Sequence, residues 1–104
     1  MSERTLPNNR RPSTNFCGEA CGVAFTYTVS FAPGTDRLLE AFIGNCKSGN
    51  AADNMARESG LLLSLALQYG APAEVIRHAM PRDANGKALG PVAVLLDLLA
   101  KDGG

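Results

Sequence analysis

Three groups of residues have types and spacings that support chemistry. The first is the turn Lys47-Ser48-Gly49-Asn50, directly ahead of a long apolar-periodic stretch. A helix starting there presents unpaired N–H groups and a partial positive charge. Lys47 adds a cation, Ser48 adds a hydroxyl, and Gly49 lets an anion approach the backbone. These four residues form a candidate phosphate site. The full P-loop spacing is missing, and a capped helix start with a tight turn accounts for the same residues. The second group is Arg77, His78 and Arg82 near the end of a short helical segment. Cations at a helix C-terminus are favourable without any function. The alternatives are phosphate contacts, or a general base at His78, although no Asp–His–nucleophile constellation is legible. The third group is Cys17, Cys21 and Cys46. Gathered together they would hold zinc, with His78 or another subunit supplying a fourth ligand. The C-x-x-x-C spacing is not that of a zinc knuckle, and buried small apolar residues or a Cys21–Cys46 disulfide are the competing readings. No cofactor is expected.

These residues depend on the elements around them. Val23, Phe25, Tyr27, Val29 and Phe31 alternate with Ala24, Thr26, Thr28 and Ser30, which predicts a strand over 23–31 with Tyr27 in the core. Ala32-Pro33-Gly34-Thr35-Asp36 is a turn cluster. A second strand is expected from Leu38 to Gly44, ending near Cys46. Pairing Phe31 with Leu38 would place Val23 opposite Cys46 and bring Cys21 close to it. A helix from Ala51 to Tyr69 follows, with Ser48 or Asn50 as its cap. Its second half, Leu61–Leu67, is apolar almost all round and should be buried on more than one side. Gly70 suits a helix end, Pro72 opens a short helix to about Met80, and Pro91 starts a last helix to about Lys101. The expected fold is α+β: a small antiparallel hairpin packed against one long and two shorter helices. A hairpin has free edges, and those invite pairing with another copy, so a homo-oligomer is expected.

The chain has 104 residues, ten basic and ten acidic, for a net charge of zero. That allows one domain over residues 16–104, preceded by a polar arm over 1–15 carrying Arg4, Arg10 and Arg11. A neutral chain does not suit nonspecific duplex nucleic acid binding. No apolar run approaches bilayer length and no signal peptide is readable, so a cytoplasmic, non-membrane protein is expected. Three cysteines argue against a disulfide framework.

Four blocks of the sequence, in order, resemble the TSCPD domain. Cys21-Gly22-Val23-Ala24-Phe25-Thr26-Tyr27-Thr28-Val29 looks like its opening strand, and Glu40-Ala41-Phe42-Ile43 its second strand. Lys47-Ser48-Gly49 looks like its K-x-G turn. Leu62-Leu63-Ser64-Leu65-Ala66-Leu67-Gln68-Tyr69-Gly70 is similar to its L-I-S-L-A-L-x-x-G, continued by Glu74-Val75-Ile76. The domain lies near the C-terminus of many adenosylcobalamin-dependent (class II) ribonucleotide reductases, and it also occurs as short stand-alone proteins in bacteria and phages. The resemblance spans about residues 17–100. The name-giving Thr-Ser-Cys-Pro-Asp would fall at Ala88-Leu89-Gly90-Pro91-Val92, where only the Pro is kept. The resemblance implies a link to deoxynucleotide synthesis. It does not imply reductase activity, which needs a large barrel, a radical cysteine, a reducing cysteine pair and a cobalamin site. The expected role is a non-catalytic module binding a nucleotide or phosphate ligand, or a reductase-like protein. The alternative is an oligomeric structural or inhibitory protein with no small ligand. A small enzyme is the third class, without a readable nucleophile–base pair to support it.

Overall fold

The computed structural model describes residues 13–35, 37–45 and 49–103. Its elements are β1 (Ser13–Ala20), β2 (Val23–Phe31), β3 (Leu38–Asn45), α1 (Ala51–Gln68), α2 (Ala73–Ala79) and α3 (Pro91–Gly103). The strands form an antiparallel sheet in the order β1-β2-β3. The α+β expectation and all three helices are present.

One strand more is present than the alternation predicts. Ser13, Thr14 and Asn15, expected in the arm, pair with Ser30, Val29 and Thr28. The rest of the arm, including Arg4, Arg10 and Arg11, lies outside the described residues. β1 escapes the sequence pattern because Phe16 is the one large apolar side chain on its inward face, with Gly18 and Ala20 beside it. Gly18 is small for a reason: a Cβ there would lie 2.9 Å from Tyr27 and 3.1 Å from Val94 of α3. β1 and β2 are joined by the two-residue turn Cys21-Gly22, with φ of 50° and 79°. Positive φ at both residues matches the hairpin twist.

The β2–β3 register also differs. Phe31 pairs with Leu38, as expected, but an irregularity between Ser30 and Phe31 shifts the rest by one, so Phe25 lies opposite Asn45 rather than Gly44. The extra residue is Leu39 of β3, which has no partner on β2 and makes two consecutive buried leucines with Leu38.

Phe25, Tyr27, Val29, Ala41 and Ile43 form the inward face of the sheet, and they meet Ala56, Leu63 and Leu67 of α1 and Leu95 and Leu96 of α3. Tyr27 is 1% exposed, and its hydroxyl donates to the Pro91 carbonyl at 2.9 Å. Burial pushes its ionisation up to about 12.

The edge of the sheet at β3 is not open. α1 lies along it and offers it side chains instead of a strand. Ser64 Oγ accepts from the Ala41 N–H at 2.9 Å and makes a 3.1 Å bond to its carbonyl, and Gln68 donates to the Leu39 carbonyl at 3.1 Å. Asp53 accepts from the Asn45 N–H at 3.0 Å. Gly60 sits where a Cβ would lie 2.9 Å from the Ala41 carbonyl. Covering an edge with a helix removes it as a pairing template. The expectation that both edges recruit another copy therefore fails at β3. Within one chain the stretch 61–67 is buried on one side only: Leu63 and Leu67 are buried, while Leu61 and Leu62 are 60% and 66% exposed.

Candidate functional site

The anion-ready turn is only partly within the described residues: Lys47, Ser48 and Cys46 lie outside them. Gly49, at φ 84°, and Asn50 open α1. Asn50 is the cap, its side-chain oxygen accepting from the Asp53 N–H at 2.8 Å. The carboxylate of Asp53, 2% exposed, then takes the Gly49 N–H at 3.1 Å, the Asn45 N–H at 3.0 Å and Arg57 Nε at 2.9 Å. The backbone bonds from Asn45 and Gly49, more than Arg57, hold its pKa below the ordinary carboxylate value. An acid of the chain itself thus occupies the Gly49 amide, one of those that would meet a phosphate at this turn.

The second basic group is also internally neutralised. Asp97, on α3, accepts from Arg82 Nη1 at 2.8 Å and Nη2 at 2.9 Å, and from Arg77 Nε at 2.8 Å. Arg77 Nη1 donates to Glu74 at 3.1 Å, and His78 Nε2 lies 3.0 Å from the other Glu74 oxygen. Hydrogen bonds from Arg82 and then Arg77 hold the Asp97 carboxyl far below its usual range. The bond to Asp97 in turn raises both arginines, and Arg77 lowers Glu74. Arg82 further donates to the Arg77 carbonyl at 3.3 Å and the Gly86 carbonyl at 3.2 Å. This network ties α2 and the loop after it to α3. Asp97 was missed from sequence, although a single acid within the apolar run Val92–Leu99 is the signal that marks it.

The two basic groups are not brought together: among the described residues no hydrogen bond or ion pair joins Gly49 or Asn50 to Arg77, His78 or Arg82. Cys17 and Cys21 are exposed free thiols. Cys17 pairs with Thr26 in the sheet, and Cys21 Sγ lies 3.3 Å from the Leu89 carbonyl. The expected Val23–Cys46 pairing and any zinc set using Cys46 fall outside the described residues. Among the described residues no three His, Cys, Asp or Glu side chains are grouped to hold a metal ion. No helix among them is long and apolar enough to cross a membrane.

A groove of about 1190 Å³ opens between β1, β2 and the helices. Phe16, Phe31, Leu67 and Leu99 are among its walls, and Arg37, Arg77 and the acid Glu74 supply charge. Phe16 stacks at a tilt on Tyr27, with centroids 5.3 Å apart. Arg37 Nη2 donates to the Leu67 carbonyl at 3.2 Å, at the end of α1. Among the described residues it has no acidic partner, which sets it apart from Arg77 and Arg82. The sequence pattern assigned Arg37 no role, and only the return of β3 beside α1 brings it to the groove.

No family model matches the chain, and no curated protein or solved structure matches it either.

Proposed function

We propose that the chain is a non-catalytic binding module whose groove takes a small ligand with an apolar body and an anionic group. A nucleotide is the class to which the resemblance to the TSCPD domain points. The observation carrying the reading is Arg37, exposed at the wall of an apolar groove of ligand size with most of its donors uncommitted to acids among the described residues. A base against Phe16 and Phe31 with a phosphate at Arg37 uses both features. Asp53 and Asp97 support a non-catalytic role: each is held ionised by several donors, the opposite of a general acid or base tuned near neutral pH.

Isothermal titration with nucleoside mono-, di- and triphosphates tests this. Saturable binding is expected, weakened at least about tenfold by Arg37→Glu. Equal affinity of that variant and the parent would refute the groove. Weakening by Lys47→Glu instead would move the phosphate to the turn before α1. A second reading, a protein-interaction module that contacts a reductase-like partner or other copies of itself, is favoured by Phe42, Leu61, Leu62 and Met55. All four are large apolar side chains exposed by 60% or more.

A further inference from the structure

The outer face of α1 carries an ordered apolar seam. Met55, Ser59, Leu62, Ala66 and Tyr69 follow one another at alternating steps of four and three residues, the spacing of a helix–helix contact line. Met55 is 69% exposed, Leu62 66% and Tyr69 49%, while Ser59 and Ala66 are half-buried. Within roughly 60° of Leu62 around the helix, at 100° per residue, Glu58 is the one charged side chain. The seam faces away from the sheet: Gly60 and Leu67, on the opposite side of α1, press on β3 and line the groove.

The large residues of the seam are symmetric about Leu62, and Ser59 and Ala66 lie three and four residues from it. Met55 and Tyr69 each lie seven residues from Leu62, with Ser59 and Ala66 between. Large residues at the centre and ends alternate with small ones, so two copies laid antiparallel about Leu62 bring large against large and small against small. Leu62 then meets its counterpart, Met55 meets Tyr69 of the other copy in a sulfur–aromatic contact, and Ser59 meets Ala66. Small residues beside the centre allow close approach. The Ser59 hydroxyl already donates to the Met55 carbonyl at 2.8 Å, so covering it strands no donor. The two Glu58 side chains are offset by about 12 Å along the axis and do not oppose each other. Zero net charge leaves no long-range repulsion between copies. The exposed parts of Met55, Leu62 and Tyr69 and their half-buried neighbours come to roughly 400–500 Å² per copy, so a pair would remove at most on the order of 800–1,000 Å² from water, the size of a weak interface.

We infer that α1 docks on α1 of a second copy of this chain, antiparallel, about a two-fold axis at Leu62. This pairing does not depend on what the groove binds.

Sedimentation equilibrium at tens of micromolar tests it, together with cysteine cross-linking in a background with Cys17, Cys21 and Cys46 changed to Ser. The expected mass is twice the 10.9 kDa of one chain. Leu62→Glu, at an exposed position that leaves the core intact, should raise the dimer dissociation constant at least about tenfold. Under oxidation, Leu62→Cys should cross-link to itself. Met55→Cys alone should not, because the two copies of that position lie about 21 Å apart, whereas mixed with Tyr69→Cys it should. A monomer at these concentrations overturns the inference. So does a dimer indifferent to Leu62→Glu, and so does self-cross-linking of Met55→Cys, the mark of a parallel pair. Circular dichroism of each variant confirms that the fold is retained.

Discussion

Replacing a helical glycine with alanine ordinarily stabilises a helix by about 1 kcal/mol. At Gly60 the structure reverses the sign. An added Cβ would lie 2.9 Å from the Ala41 carbonyl oxygen, 3.1 Å from the Ile43 nitrogen and 3.2 Å from an Ile43 side-chain carbon. The first two are backbone atoms of β3, locked in the sheet, so no side chain can rotate away and α1 must lift. Lifting stretches the bonds of Ser64 to Ala41, at 2.9 and 3.1 Å, and of Gln68 to Leu39, at 3.1 Å. Overpacking costs typically about 1–3 kcal/mol, and each weakened bond forfeits part of a net value of about 1 kcal/mol. After subtracting the propensity gain, Gly60→Ala should destabilise by about 1–3 kcal/mol and lower Tm by roughly 5–15 °C. Urea denaturation with thermal melts measures it. Asn54→Ala, at an exposed position of the same helix, is the control and should be neutral or slightly stabilising. If Gly60→Ala is instead more stable than the parent by about 1 kcal/mol, α1 does not sit on the β3 backbone, and the account of the covered edge is wrong.

Two further outcomes follow from particular residues. The folded-state pKa of Asp97 lies well below its unfolded value of about 3.9, so its contribution is full above about pH 5, begins to fall near pH 4 and is lost as pH drops through the folded-state value. Asp97→Asn should therefore cost about 1–2 kcal/mol at pH 7, a figure reduced for a side chain 31% exposed, and the gap to the parent should narrow progressively below about pH 4 and close only under strongly acidic conditions, below the folded-state pKa; a gap independent of pH would refute the ion-pair account. Cys21→Asn should stabilise by about 0.5–1 kcal/mol in the same denaturation assay, since Asn-Gly suits the positive φ values of this turn better than Cys-Gly does, and a loss would show that the thiol contact to Leu89 outweighs the backbone strain.

Much of the architecture was legible from local chemistry. Alternation marked β2, the three-and-four spacing marked α1, and Gly70 and Pro91 marked the end of one helix and the start of another. These signals are short-range: a period of two or 3.6 follows from backbone geometry whatever the partner is. Tyr27 as a core residue, Asn50 as one of two cap candidates and the Ala51 start of α1 belong to the same class. Where an element's partner decides its conformation, the sequence carried little. β1 has few large apolar side chains to alternate, because Gly18 makes room for Tyr27 and α3, and so residues 13–15 read as part of an arm and the rest as no element.

The groups with chemical potential divide along the same line. Local sequence identified Gly49, Asn50, Arg77, His78 and Arg82 as polar groups at helix ends. Tertiary structure decided what each group faces, because an ion pair or a hydrogen bond is settled by distance in space and not along the chain. Asp53 reaches back to Gly49 and to Asn45 on β3, while Asp97 is 20 residues from Arg77 and 15 from Arg82. The same holds for α1. Its second half read as apolar nearly all round, but only its seat on β3 determined which apolar residues became core and which were left facing water as a seam.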